Sequence, residues 1–360
     1  MGFPLDLVII FIVTICVSLF LDLWAHRNSE EISLKGSILW SVFWIALSLC
    51  FYGYIFFRFP DHPEYASEFL AGYVLEKTLS VDNLMVFIAI FSYFNIRNAL
   101  QHRILYYGIV GALLFRLIFV ALGSALLAAG PFADLIFAAI IGYSAIRMLL
   151  AGEAEELDDF TEHKLVAFAQ KLFKVFPRHH GKKLFISGEE ARAIARQDPT
   201  LTLPDDPSIK RFATPALVCL VVIELSDVMF AFDSVPAVIA VTREPILVYA
   251  AMIFAILGLR SLYFVLASLA KHLIYLEKAV ILLLFFIAAK LGLHASRKLL
   301  GWPEWEISAN MSLIVIFSIL ALGVIASFVF KSGAEEIEVA DGDPKDSAKS
   351  GEDTPPPPVQ

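Results

Sequence analysis

Cysteine is scarce in this chain: there are three in 360 residues, Cys16, Cys50 and Cys219, each inside an apolar run and far from the others. That spacing implies neither a disulfide framework nor a cysteine-based metal site. Charged residues are also sparse, at 18%, and the formal net charge of -8 excludes a basic nucleic-acid-binding surface. The sequence has no Gly-x-Gly-Asp segment of the intramembrane aspartyl protease type and no His-Glu-x-x-His pattern. Its one large hydrophilic segment, 152–211, carries no nucleotide-binding or catalytic signature. An enzyme is therefore not expected. Met1 to Leu5 supply neither a basic n-region nor a small-residue cleavage site, so the first apolar run is expected to be retained rather than removed as a signal peptide.

What is abundant is apolar. Hydrophobic residues make up 58% of the chain, 31 of them phenylalanine, and the mean hydropathy is +0.73; soluble domains hold roughly 45–50%. An all-α polytopic membrane protein follows. Runs long enough to cross a bilayer, about 20 residues each, fall near 5–25, 35–57, 65–93, 104–127, 131–151, 212–240, 246–269, 275–296 and 308–331. About nine transmembrane helices are expected. Between the fifth and sixth, 152–211 reads as a soluble loop, with helical spacing over 153–176 and a second short helix beginning at Ser187-Gly-Glu-Glu190. The tail, 332–360, is acidic and ends in the run Pro355 to Pro358, a composition that reads as disordered.

Lys and Arg concentrate in 152–211, while the loops on the other side carry only Arg58, Arg243, Arg297 and Lys298. The positive-inside rule then puts the N-terminus outside and the C-terminus in the cytoplasm, in an inner (plasma) membrane if the source is bacterial.

Two apolar segments carry carboxylates. The first is Glu76-Lys-Thr-Leu-Ser80-Val-Asp82-Asn83; the second is Asp227-Val-Met-Phe-Ala231-Phe-Asp233-Ser234, preceded by Glu224. Each has an acid, a second acid six residues on, then a small polar residue. A charge at mid-bilayer costs at least ~2.5–3.5 kcal/mol, so intramembrane acids are functional candidates. The likeness continues: Arg116-Leu-Ile-Phe119-Val-Ala-Leu122-Gly-Ser124 matches Arg260-Ser-Leu-Tyr263-Phe-Val-Leu266-Ala-Ser268, and Arg147 and Lys290 follow at 31 and 30 residues. Spans 3–5 (within 61–151) thus recur as spans 6–8 (within 212–297), with two helices before them (1–60) and one after (298–331). Three is odd, so the second copy enters the membrane from the opposite side. Inverted repeats of this kind mark transporters with a site near the midplane.

At 100° per residue, Glu76, Ser80 and Asn83 share one helix face, as do Glu224, Asp227, Ala231 and Ser234. Asp82 and Asp233 point away and need a break to join them. Pro236 is the expected break, because it cannot donate to the Phe232 carbonyl.

The available ligands are carboxylates and neutral oxygens, a set suited to Mn²⁺, Mg²⁺ or Ca²⁺. None of the eight histidines lies in either motif, which weakens a zinc or iron reading. The opposing reading is that the acids are consumed in structural ion pairs with Lys77, Arg116, Arg147, Arg260 and Lys290. Arg147 and Lys290 lie close enough to span ends to snorkel, which leaves Arg116 and Arg260 as the deep bases and an excess of acid.

At Glu76-x-x-x-Ser80-x-Asp82-Asn83, at Glu224-x-x-Asp227-x-x-Phe230-Ala231-x-Asp233-Ser234-x-Pro236-Ala237, and at Arg116 and Arg260, the chain resembles the TerC family of integral membrane proteins, over roughly residues 1–330. That family is named for tellurium resistance and is related to the LysE exporters. The resemblance implies metal homeostasis, with manganese export favoured and Glu76, Asp82, Asn83, Glu224, Asp227, Asp233 and Ser234 as the metal positions. The expected function is a secondary transporter for a divalent cation, with no permanently bound cofactor and with protons as a candidate coupling ion. The alternatives are a non-transporting scaffold or stress-response protein acting through 152–211 and the tail, and a tellurite-type oxyanion resistance factor using Arg116 and Arg260.

Overall fold

A computed structural model describes residues 5–25, 34–96, 98–127, 130–150, 164–181, 183–198, 201, 203, 209–242, 244–269, 274–301 and 307–329. Ten of its helices lie in the apolar runs: α1 (Leu5–Ala25), α2 (Leu34–Arg58), α3 (Pro63–Tyr93), α4 (Asn98–Leu127), α5 (Pro131–Leu150), α8 (Pro215–Val241), α9 (Pro245–Ile256), α10 (Leu259–Leu269), α11 (Ile274–Leu300) and α12 (Ala309–Val329). Between α5 and α8 come α6 (Lys164–Leu172), β1 (Phe185–Ser187), α7 (Gly188–Gln197) and β2 (Arg211–Ala213). Several helices open on proline, at 63, 131, 215 and 245, where the missing N–H has no intrahelical partner to lose. α3 closes with Asn95 in the left-handed region (φ 48°) and the Ile96 N–H donating to the Phe91 carbonyl at 2.9 Å, a Schellman-type stop.

Among the described residues six helices are long and apolar enough to cross a membrane, or seven if α9 and α10 form one bent span. Many large apolar side chains are exposed, including Phe57 at 81% and Leu150 at 77%. That is the surface expected where lipid is the solvent.

The span read at 246–269 is broken. α9 and α10 meet at 49°, with the break at Leu257 and Gly258. Gly258 has φ +75°, and a Cβ there would overlap the Trp44 side chain of α2. Only glycine serves both the backbone angle and the close approach. By contrast α8 continues through Pro236 as helix, which corrects the expectation of a break there. A proline removes one helical hydrogen bond and crowds one carbonyl, and packing on buried Val235, Ala237, Val238 and Ile239 holds the helical path.

α3 and α8 cross in opposed directions. Early α3 meets late α8, where a Cβ on Gly72 would strike the Thr242 hydroxyl and approach Val238. The Thr242 hydroxyl also donates to the Glu68 carbonyl at 2.7 Å. α4 packs along α8, α9 along α3, and α5 along α11.

Segment 152–211 is more than a connector, and it departs from the all-α expectation. β1 and β2 pair antiparallel with Ile186 opposite Phe212. Phe176, Ile186, Ala191, Leu201 and Phe212 form a small core. The Ser187 hydroxyl accepts from the Glu190 N–H at 3.2 Å, the N-cap of α7. The expected helix within 153–176 is present as α6; residues 153–163, the end of the last span (330 and 331) and the tail 332–360 lie outside the described residues.

Candidate functional site

Two apolar clusters divide the helical bundle. One holds Leu75, Leu79, Val120, Ala231, Val235 and Leu257; the other holds Leu84, Phe87, Leu105, Ile223, Leu259 and Tyr263. Where one gives way to the other lie Glu76 and Asn83 of α3, Arg116 of α4, Glu224 and Asp227 of α8, and Arg260 of α10. The sequence therefore builds a polar layer between two apolar ones.

At its centre is Arg116, only 3% exposed. Its guanidinium forms an ion pair with Glu76 Oε1 of α3 and reaches Asp227 Oδ1 of α8 at 3.3 Å. One arginine thus bridges the matching acids of the two motifs. The Ser80 hydroxyl, one turn from Glu76, donates to the same Oε1 at 3.5 Å. Glu224 extends its carboxylate toward α4, where the absence of a side chain on Gly111 makes room; a Cβ at 111 would overlap both carboxylate oxygens.

The helix faces read from the sequence are buried except at Glu224. Glu76, Ser80 and Asn83 are buried on α3, and Asp227, Ala231 and Ser234 on α8, while Asp82, Glu224 and Asp233 are half-buried. Asp233 has Ser144 of α5 beside it and feels the charge of Arg116. The structure brings together Glu76, Asp227 and Arg116, with Ser80 beside them, and the Arg116 charge also acts on Asp233. Among the described residues no group of three or more His, Cys, Asp or Glu side chains is close enough to hold a metal ion. Arg260, the second deep base, is buried on α10 at 5% exposure.

Glu76, Glu224 and Asp227 nevertheless outnumber the two buried arginines of the layer. Glu76 Oε2, Asp227 Oδ2 and Glu224 Oε2 are buried and make no hydrogen bond, and neither do the Ser234 hydroxyl and the Asn83 side-chain nitrogen. Glu76 and Asp227 therefore share one guanidinium, and one buried oxygen on each of Glu76, Asp227 and Glu224 stays unsatisfied, as do Arg116 Nε and Arg260 Nε. A buried, unpartnered carboxylate oxygen is costly, and a cation or a proton removes that cost.

Beside the layer, the Lys77 ammonium of α3 donates to the Ala255 carbonyl at 3.0 Å and the Leu257 carbonyl at 3.2 Å. These sit at the break between α9 and α10. By sequence alone Lys77 is one base among five in the apolar runs. The signal for its role was Gly258 inside an apolar run, which marks a backbone interruption.

At the far end of α3 and α8, a cavity of about 160 Å³ is lined by Glu68, Lys290, His294, Arg297 and Ser308, among others. Lys290 donates to the Ser312 hydroxyl at 2.8 Å. His294 lies 3.8 Å from the buried Asp134 of α5.

Residues 61–335 match the integral membrane protein TerC family. The tellurium resistance protein TerC of Serratia marcescens is 46% identical over 341 residues, covering 94% of this chain and 97% of that protein. The protein of the same name from an Alcaligenes species is 45% identical over 344 residues, covering 93% and 96%. The chloroplastic thylakoid membrane protein TERC of Arabidopsis thaliana is 38% identical over 267 residues, covering 74% of this chain and 62% of that protein. No solved structure matches the chain.

Proposed function

We propose, on the premise that this chain belongs to the TerC family of integral membrane proteins, that it is a carrier rather than an enzyme, exporting a divalent cation through the polar layer with Mn²⁺ as the favoured substrate. The observation that carries the reading is the carboxylate excess of the layer: Glu76 and Asp227 share the Arg116 guanidinium, and they and Glu224 each keep one buried oxygen without a hydrogen bond. Hard oxygen donors suit Mn²⁺ or Mg²⁺ over softer metals.

The reading has nine spans, with α1, α3 and the bent pair α9–α10 crossing the membrane beside the other six, and an inverted repeat of α3–α5 and α8–α11. Support for the repeat comes from the opposed crossing of α3 and α8, and from the exchange in which α4 packs along α8 while α9 packs along α3. Arg116 then acts as a bolt across the two acidic helices. When a cation or protons take over the charge it neutralises, the helices are free to part, and the site turns from one face to the other by alternating access. In this orientation the N-terminus is outside, 152–211 is cytoplasmic, and the cavity beside Glu68 and His294 is the outer vestibule.

Purified protein in proteoliposomes should carry Mn²⁺, and Glu76→Gln, Asp82→Asn, Asp227→Asn and Asp233→Asn should each abolish the flux while the protein stays folded. Unchanged flux in the Glu76 and Asp227 variants would remove the bridged acids from the path.

A second reading follows the names of the bacterial relatives, tellurium resistance. The observation that favours it is the set of three basic groups, Lys290, His294 and Arg297, around the outer cavity, which suits an oxyanion. Tellurite sensitivity of cells carrying Arg297→Ala with Mn²⁺ flux intact would separate it from the first.

A further inference from the structure

An α-helix broken inside a membrane leaves carbonyls that no water can reach, and such backbone is tolerated only where something satisfies it. In a continuous helix the Ala255 and Leu257 carbonyls would accept from the N–H groups of residues 259 and 261. The turn at Gly258 (φ +75°) redirects the chain; the new ladder begins with the Leu262 N–H donating to the Gly258 carbonyl at 2.9 Å, while the Leu257 N–H closes the old one on Ile253 at 3.0 Å. Between the two ladders, Ala255 and Leu257 present oxygens to a single point. The Lys77 ammonium occupies that point, 3.0 and 3.2 Å from the two oxygens.

Unwound carbonyls at a helix break are a recurring coordination site for small monovalent cations in carriers. We propose that the α9–α10 break is a monovalent-cation site whose occupant is tethered: the Lys77 ammonium stands where a free ion would otherwise sit. Lys77 adjoins Glu76, the acid bound to Arg116, so this built-in cation ties the acidic helix α3 to the hinge of the second repeat. A free ion could leave the break; a tethered one cannot. The hinge is thereby held to α3 at every sodium and potassium concentration. The inference deepens the carrier reading in assigning the hinge a role, but the site itself stands on the break geometry alone.

The test reads stability, not transport, so its failure and the failure of Mn²⁺ flux are distinguishable. Purified wild type and Lys77→Ala are unfolded by heat in detergent at equal concentrations of choline, sodium, potassium and ethylammonium chloride. Lys77→Ala should melt several degrees below wild type in choline, too bulky for the break, and should recover at least half of the loss in one of the small cations, through binding to the folded state alone. Wild type should melt alike in all four salts. Lys77→Gln, which keeps a donor without the charge, should remain folded and fail to recover. Should Lys77→Ala not accumulate as folded protein, Lys77→Ser leaves similar room and is read in the same way. Equal melting of the truncated variant in all four salts would overturn the proposal, as would a Lys77→Gln variant as stable as wild type.

Discussion

The Glu224 carboxylate lies against the bare backbone of Gly111, so closely that a methyl group at 111 would occupy the place of both oxygens. A carboxylate of α8 is thus set into the side of α4 five residues before Arg116. Gly111→Ala should displace Glu224 and cost about 1–3 kcal/mol by overpacking. Gly111→Ala combined with Glu224→Ala should restore most of that loss. Thermal unfolding of the single and double variants in detergent checks it, and a double variant no better than Gly111→Ala would show that the overlap is with something else.

Removing Arg116 leaves Glu76 and Asp227 buried without their shared partner. Arg116→Leu should cost about 3–5 kcal/mol, the range for breaking a buried pair by deleting one side. The triple variant Arg116→Leu, Glu76→Gln, Asp227→Asn removes the charges together and should recover much of the loss. Denaturation midpoints report both; a triple variant as unstable as the single would mean that Arg116 acts through packing rather than charge.

Gly258 meets two demands at once. Gly258→Ala forces an L-residue to φ +75°, about 1–2 kcal/mol for a left-handed backbone, and drives its methyl into Trp44. Adding Trp44→Ala relieves the overlap but not the backbone angle. The cost of Gly258→Ala should therefore be smaller in the Trp44→Ala background than in wild type, by a margin that a double-mutant cycle measures.

Between α5 and α8, Lys183 donates to Glu190 at 2.9 Å, and His180 lies 2.9 Å from the same carboxylate. The Lys183 hydrogen bond, with a smaller contribution from His180, holds the Glu190 carboxyl below its ordinary value of 4.5. A carboxylate depressed on folding stabilises above that value and loses the contribution as pH falls through its folded value. Hydrogen exchange of α7 amides should thus show protection that declines as the medium is acidified below pH 4.5 in wild type. In Glu190→Gln that step should vanish.

Much of this architecture was legible in the sequence because lipid enforces simple rules. Apolar runs of about 20 residues became helices near their expected bounds, and the two acid-bearing faces became buried faces because 3.6-residue periodicity leaves no other place for Glu76, Ser80 and Asn83. Ser187 was readable as a helix start from its spacing to Glu190. The position of the break was not, because proline and glycine compete as signals. Pro236 forfeits one hydrogen bond, which α8 tolerates, whereas Gly258 supplies a backbone angle that a helix cannot use. The bridging by Arg116 was likewise hidden. Sequence counts charges along the chain, while the pairing of residues 76, 116 and 227 depends on which helices lie side by side. Of the metal positions inferred from resemblance, Glu76 and Asp227 pair with Arg116, while Asp233 lies by Ser144 within reach of the same charge.

Only Thr214 separates β2 from α8, and its hydroxyl donates to the Lys183 and Leu184 carbonyls at 2.9 and 3.0 Å. The ring of His179, at 2.9 Å from the Phe94 carbonyl, sets the same unit against the end of α3. A 27-residue helix is about 40 Å long at 1.5 Å per residue, so a 10° swing of α8 about its middle sweeps its first residue through roughly 3.5 Å. The folded segment would ride on that end as a pointer on a lever, and a pair of spectroscopic labels on β2 and on the start of α4 would read the tilt of an intramembrane helix from the aqueous side.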